Sequence, residues 1–556
     1  MIGRRLAFAA ALAALGGCAI QPHLSAPASA IDVQILAIND FHGNIERSAE
    51  PIRFELSKDQ FASARAGGAA SLGEELKTLR SGCSQTITVA AGDLVGASPL
   101  TSAYFLDEPT IDAMNMIGLS LASVGNHEFD KGSGELLRKQ TGGCAKFTGL
   151  TPCRLEPFKG ATFEYLSANV VKADGHTLFP ATAVRQFGPI TIGFIGMTLK
   201  ETGTLVTPTG VAGLRFTDEA ATANALVPAL QAEGADAIVL LIHQGGKVPD
   251  LYHVQDCEGL SGDILPILDK LSPAITTIVS GHTHNAYVCE VESGGTRRLL
   301  TSAGKYGYFV SDLRLDFDPD THRLLSQSAR NVPIIREGAG DPAIAALVKR
   351  YSDGAAPAAA RVVGHLSGVV SSGVQGDRES PAADLIADAQ LAATKGPAHG
   401  NADLSFINTG GVRTDFVPGP DGAITYGQIF SIEPFGNTLI VKTYTGAQLK
   451  ALLEQQFEAD GKLRPSSLVP SANFHYAFDT KRPAGERITA MLLDGRPIDP
   501  AKSYRVTVNN FLASGGDTYT VFAQGTDAFD AGVDLDALEA WLATNPAIPT
   551  GGRIEG

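Results

Sequence analysis

Six short apolar runs punctuate the first half of the chain, at 33–38, 86–91, 121–124, 190–196, 237–242 and 276–280. Most are continuously apolar rather than alternating, the pattern of strands covered by helices on both faces. Helical stretches separate them, so the pattern predicts an α/β sandwich ending near residue 335. Residues 341–351 read as a helix, and 353–360 as an Ala/Pro-rich connection. The second half starts the pattern afresh, with a helix near 381–394, strands at 404–408 and 438–443, a helix near 446–457 and a strand at 504–508. The expected division is therefore a first unit at 31–335, a linker or hinge at 336–360 and a smaller α/β unit at 361–550. A chain of 556 residues exceeds what one hydrophobic core serves, which agrees with two domains.

The N-terminus reads as an address. Arg4 and Arg5 precede an apolar run at 6–15 that is too short to span a bilayer. Leu15-Gly16-Gly17-Cys18 then resembles a bacterial lipoprotein signal with Cys18 as the lipidated residue, whereas Ala28-Ser29-Ala30 fits an ordinary signal-peptidase site before Ile31. Either cleavage means export, to the periplasm or the cell surface, with any membrane contact made only through a lipid on Cys18. Residues 19–30, rich in Pro, Ala and Ser, read as a tether. An oxidising compartment permits disulfides. Cys144 and Cys153 flank a short loop and can pair; Cys257 and Cys289 can pair too, which leaves Cys83, although spacing does not fix connectivity.

The net charge of −15 argues against a nucleic-acid polymer as partner, since phosphate backbones need basic patches. A small phosphorylated substrate would have to be drawn in by metals and a few arginines. No protein partner is predicted.

Five of the apolar runs end in polar clusters: Asn39-Asp40-Phe41-His42-Gly43-Asn44, Gly92-Asp93, Gly125-Asn126-His127-Glu128-Phe129-Asp130, His243-Gln244-Gly245-Gly246 and Gly281-His282-Thr283-His284. Loops at the C-terminal ends of strands are where α/β sheets bind ligands. Each motif alone is commonplace, but five in order at strand ends are not. Two divalent cations about 3.5–4 Å apart can clamp a phosphate and activate water. Such a pair needs a bridging carboxylate, and Asp93 suits that role. Mixed imidazole and carboxylate ligands favour Zn, Mn, Fe or Co over Ca or Mg.

In this order the motifs resemble the calcineurin-like metallophosphoesterases, and the wording of the first and third clusters resembles the 5′-nucleotidases among them. The resemblance runs through the second half, in Asn408-Thr409-Gly410-Gly411-Val412-Arg413, Arg378-Glu379, Pro434-Phe435-Gly436-Asn437 and the segment from Phe511 to Asp517. It implies a four-layer αββα sandwich followed by a smaller α/β C-terminal domain. It also implies that Asp40, His42 and His284 complete one metal and Asn126, His243 and His282 the other, with Asp93 between them and a bridging hydroxide as nucleophile. His127 is implied to be no ligand: it stabilises the transition state and protonates the leaving oxygen, oriented by Asp130. Arg378 and Arg413 are implied to grip phosphate, Phe435 and Phe511 to stack on the base, Asn408 to touch the nucleoside and Asp517 to take the ribose hydroxyls.

One segment departs from the pattern: Ser380-Pro381-Ala382-Ala383-Asp384 stands where relatives more often carry Gly-Asn before Leu, which puts helix entry and the position of Arg378 in question. The implied activity is hydrolysis of nucleoside 5′-monophosphates to nucleoside and phosphate. A 2′,3′-cyclic nucleotide phosphodiesterase or a nucleotide-sugar or dinucleotide pyrophosphatase is the alternative within the superfamily. A thiohydrolase of the same plan would not need the phenylalanine pair, and a silent nucleotide-binding lipoprotein would not need His127 and Asp130.

Overall fold

The computed structural model describes residues 30–57, 60–249, 251–373, 379–458, 461–464 and 466–556; Arg378 and the N-terminal segment with Cys18 lie outside them. The principal strands of the first half are β1 Ile31–Ile38, β2 Thr86–Ala91, β3 Leu121–Ser123, β4 Glu164–Leu166, β5 Thr182–Phe187 and β6 Ile190–Thr198. They continue with β7 Ala237–His243, β8 Ile275–Ser280, β9 Ala286–Ser293, β10 Thr296–Ala303, β11 Phe309–Phe317 and β12 Leu324–Pro333. Two six-stranded sheets result, in the orders β12-β11-β1-β2-β3-β4 and β9-β10-β8-β7-β6-β5. β1 to β4 run parallel in the first sheet, as do β6, β7, β8 and β10 in the second, while β5, β9, β11 and β12 pair antiparallel.

The continuous apolar runs have a direct reading in the packing. Side chains alternate across a strand. Along β1, Val33, Ile35 and Ala37 enter a core between the two sheets, together with Val239, Leu241 and Val279 of the second. Leu36 and Ile38 point the other way, into a core with Leu72 and Leu76 of helix α1 Ala69–Arg80, with Ile111 and Met114 of α2 Glu108–Ile117, and with Leu136 of α3 Gly132–Thr141. On the far face, Ile238, Leu240 and Ile242 pack against Ala223, Val227 and Leu230 of α4 Glu219–Ala232. The layers are therefore helix, sheet, sheet, helix.

The next helix, α5 Pro342–Ala359, runs past the expected end at 351 and through the Ala/Pro-rich connection. Asp341 caps it, accepting from the main-chain N–H of Ala343 at 2.8 Å and Ile344 at 3.1 Å, and Pro342 occupies its first position. Alanine is the strongest helix former and carries the helix through Pro357, whose missing N–H and ring disturb the last turn only; the helix ends two residues later. Ile344, Leu347, Tyr351 and Ala355 bury one face of α5 in the core of the first domain, so the connection is docked on the sandwich.

The second domain has a five-stranded sheet, ordered β15-β13-β16-β14-β17, from β13 Leu404–Asn408, β14 Thr438–Thr445, β15 Leu468–Pro470, β16 Ser503–Asn509 and β17 Thr526–Val533. Helix α6 Pro381–Thr394 lies in its core. The departure from the family pattern leaves helix entry ordinary, because Ser380 accepts from the N–H of Ala383 and Pro381 starts the helix. The Asp384 carboxylate is fully buried there, 3.4 Å from Arg553 Nε. Cys144 is bonded to Cys153 and Cys257 to Cys289, and Cys83 is free. Among the described residues no helix is long and apolar enough to cross a membrane.

Candidate functional site

The five polar clusters meet because the strands before them end at one shared edge of the sandwich. β1, β2 and β3 of the first sheet deliver Asp40, His42, Asp93, Asn126 and His127; β7 and β8 of the second deliver His243, His282 and His284. Main-chain bonds lock the first two loops together, Asp40 N–H to Gly92 O and His42 N–H to Asp93 O, each at 3.0 Å. Glu128 holds the second and third loops: one carboxylate oxygen accepts from the N–H of Asp93 at 2.9 Å and of Gly125 at 2.6 Å, the other from Leu94 at 2.8 Å. Gly125 permits this approach, since a Cβ there would come 2.2 Å from Asp93 Oδ1.

The backbone is unusual at the candidate ligands themselves. Asp40, His42, Asp93, His282 and His284 all adopt left-handed φ, between 47° and 72°. Residues with side chains seldom do so, and such strain concentrates at functional sites.

Two groups of donors form. In one, Asp40, His42 and His284 each bring a ligand atom within 4.8 Å of the others; in the other, Asp93, His243 and His282 do the same. Asn126 joins the second, its Oδ1 3.1 Å from His282 Nδ1. Asp93 spans both, with Oδ2 2.9 Å from His243 Nε2 and 3.7 Å from His42 Nε2. His127 also comes within range, since donors of His42, Asp93 and His127 lie within 4.8 Å of one another.

The donor set fits cations. His42 Nδ1 is 2.9 Å from Gly96 O and His243 Nδ1 is 2.8 Å from Ala91 O, so with each Nδ1 donating, each Nε2 is left with a lone pair. The Nε2 of His42 then faces His284 Nε2 at 3.1 Å, and that of His243 faces a carboxylate oxygen, arrangements that repel unless a positive charge lies between them. Burial lowers the pKa of His42 and of His282 to about 3 and that of His284 well below the usual value, keeping these imidazoles neutral as ligands must be. Burial tends to raise the Asp93 pKa, but His243, His127 and His42 hold it well below the usual carboxylate value. Burial opposes charge on His243 as well, yet Asp93 and Asp40 raise it to about 10. A cation at this spot would meet the same pull.

His127 is built differently. Its Nδ1 lies 2.9 and 3.1 Å from the two oxygens of Asp130, so its Nε2 faces away from that pair. Burial works against the imidazolium, but Asp130 and Asp93 outweigh it and raise the pKa above the ordinary value.

The second domain closes over this edge. β13 and β16 run parallel and β14 runs antiparallel to β16, so the ends of the first two and the start of the third share one rim. Asn408 ends β13, Arg413 follows it, Phe435 precedes β14, and Phe511 and Asp517 follow β16. All five line one cavity of about 300 Å³ with Asn126, His127, Asp130 and His282 of the first domain. Asn408 Nδ2 donates to Asp517 Oδ2 at 2.7 Å, and burial raises the Asp517 pKa. The Phe435 ring stacks on His127, with centroids 6.1 Å apart and planes 20° apart, and the Arg413 guanidinium lies 5.9 Å from its centre.

Sequence reasoning missed other parts of this wall. Leu205, Val206 and Thr207 of the first domain line the cavity from a segment with no motif. Glu128 stood in a quoted motif, but its bracing of two loops shows only in three dimensions.

Residues 33–286 match the calcineurin-like phosphoesterase family, and residues 362–524 match the 5′-nucleotidase C-terminal domain. The chain is 29% identical over 492 residues to the protein named endonuclease YhcR of Bacillus subtilis, which covers 88% of this chain but 38% of that relative, so the chain spans little more than a third of its length. A probable 5′-nucleotidase of Treponema pallidum is 26% identical over 585 residues, 92% of this chain and 90% of the other. The crystal structure of a 5′-nucleotidase precursor from Thermus thermophilus superposes with a TM-score of 0.74 at 26% identity, covering 94% of this chain and 99% of that one. With the phosphoesterase sandwich, the nucleotidase C-terminal domain and matches that run through both, this chain belongs to the 5′-nucleotidase family of calcineurin-like phosphoesterases.

Proposed function

We propose that the protein is an exported, divalent-metal-dependent hydrolase that splits nucleoside 5′-monophosphates into nucleoside and phosphate. The observation that carries this reading is one cavity whose wall joins His127, Asn126 and His282 of one domain to Phe435, Phe511, Arg413 and Asp517 of the other. Asp40, His42, Asp93 and His284 would hold one cation, and Asp93, Asn126, His243 and His282 the other. When bound, such cations polarise phosphoryl oxygens and bring the pKa of water near neutrality.

The chain supplies the rest. Arg413 offers a planar fork to phosphate oxygens. His127, fixed by Asp130 so that Nε2 carries the mobile proton, gives that proton to the departing 5′-oxygen. Phe435 and Phe511 offer apolar faces to a base, and Asp517 accepts from ribose hydroxyls. Asn408 Oδ1 is buried without a hydrogen-bond partner among the described residues, an acceptor suited to a nucleoside donor. Export rests on the N-terminal address, and N-terminal sequencing of the mature protein separates a start at Cys18 from one at Ile31.

The test is phosphate release from a panel of nucleoside mono-, di- and triphosphates, a 2′,3′-cyclic nucleotide, a nucleotide sugar and a dinucleotide. Monophosphates are expected to turn over best, and a chelator to stop all turnover. Preference for a cyclic or pyrophosphate substrate would move the reading to the alternative activities, and chelator-insensitive turnover would remove the metals from it.

Phe435→Ala and Phe511→Ala are each expected to weaken nucleoside monophosphate turnover mainly through KM. A base–aromatic contact contributes about 1–3 kcal/mol, so losses of roughly 5- to 150-fold follow. Hydrolysis of p-nitrophenyl phosphate, which has no nucleoside, is expected to change much less. Equal loss on both substrates would make the phenylalanines supports of the fold; no loss on either would place the base elsewhere.

A further inference from the structure

Lys131 directly follows Asp130, at the N-terminal boundary of α3 in the phosphoesterase domain. Its ammonium reaches across to the second domain, where Nζ donates to the main-chain carbonyl of Phe435 at 2.5 Å. The ring of that same residue stacks on His127. The next residue, Gly436, has a left-handed φ of 61°, and a Cβ there would stand 3.5 Å from the ammonium. The loop is held from behind as well, because Asn437 O accepts from the N–H of Asp534 at 3.0 Å.

The segment from His127 to Lys131 thus performs three linked tasks. His127 provides the ring on which Phe435 rests. Asp130 fixes the tautomer of that ring. Lys131 holds the main chain from which the Phe435 side chain projects. Burial pushes the Lys131 pKa down, while Asp130, Asp107 and Asp534 favour its charge, and no carboxylate comes within ion-pair distance of Nζ among the described residues. Among those residues the ammonium makes one hydrogen bond, the one across the domain boundary.

We propose that Lys131 is a positioning residue for the nucleoside: its bond to the Phe435 carbonyl sets the clamp ring against the metal loops. The inference rests on the nucleotidase reading above. A lysine that only supported folding of the first domain would affect every substrate alike. A lysine acting through Phe435 affects substrates with a base, and has nothing left to act on once the ring is gone.

The experiment uses the full chain with its metals, as wild type, Lys131→Met, Lys131→Arg, Phe435→Ala and the Lys131→Met/Phe435→Ala double variant. kcat and KM are measured on AMP and on p-nitrophenyl phosphate. Lys131→Met is expected to raise KM for AMP about 10-fold or more, the scale of a charge-assisted hydrogen bond, and to leave p-nitrophenyl phosphate within about twofold. Lys131→Arg should recover most of the loss, and Lys131→Met should add nothing to Phe435→Ala. Equal loss on both substrates, or full additivity with Phe435→Ala, overturns the inference. So does AMP turnover unaffected by Lys131→Met, with the nucleotidase reading intact. Wild-type protein that cleaves p-nitrophenyl phosphate but no nucleoside monophosphate overturns that reading, and the inference with it.

Discussion

Asp93→Asn is expected to leave a folded protein with fewer than two metals per chain and almost no phosphatase activity. The Asp93 main chain is held by the Glu128 carboxylate, and Asp93 Oδ1 accepts from the His127 N–H at 2.9 Å; an asparagine oxygen can keep that second bond. The change falls on Oδ2, which faces the Nε2 atoms of His243 and His42. An amide NH₂ turned toward that space brings donors and no negative charge where the proposed pair of cations would be held. Removing one charged partner from a buried pair costs about 3–5 kcal/mol, which applied to metal affinity is a loss of roughly 150- to 5,000-fold. Metal content by elemental analysis, beside phosphate release, reads the result. An Asp93→Asn protein with two bound metals and normal turnover would end the dinuclear assignment.

His127→Ala is expected to show the opposite division, full metal content with a chemical step slowed by roughly 10²- to 10⁴-fold, the scale of general-acid help. The geometry allows two roles for this ring. It sits within ligand distance of His42 and Asp93, yet its Nδ1 is taken up by Asp130 and its pKa is raised by Asp130 and Asp93 against burial. With Nδ1 committed to Asp130, a ring whose pKa is shifted upward is a poorer ligand and a readier acid. Metal loss in the alanine variant would make His127 a ligand. Retained metal with lowered kcat and little change in KM supports the acid.

The sequence was legible where one residue type answers to one local demand. The run at 33–38 is apolar at nearly every position because β1 feeds two cores at once. The polar clusters stood out because they interrupt such runs at the strand ends. Strands β9 to β11 were harder to see, since Glu290, Glu292, Arg297, Arg298, Asp312, Arg314 and Asp316 break their apolar character at alternate or adjacent positions. The end of α5 was misjudged because proline and alanine together suggest a connection, whereas the alanines carry the helix past Pro357 and it ends only two residues later. Least legible was the contact of Lys131 with Phe435, separated by 304 positions and made through a main-chain carbonyl that any residue would offer.

The left-handed backbone at Asp40, His42, Asp93, His282 and His284 bears on how this lineage can drift. Glycine, asparagine and aspartate enter that region at little cost, while β-branched residues are strongly disfavoured there. If these residues hold the proposed metals, replacement at these positions is filtered twice, once by coordination chemistry and again by the shape of the turn. A descendant released from selection for catalysis would be freed from the first filter but not the second. Its turns would keep a narrow alphabet after its metals were gone, so a degenerate copy of this domain would advertise its ancestry through asparagine and glycine at the former ligand positions.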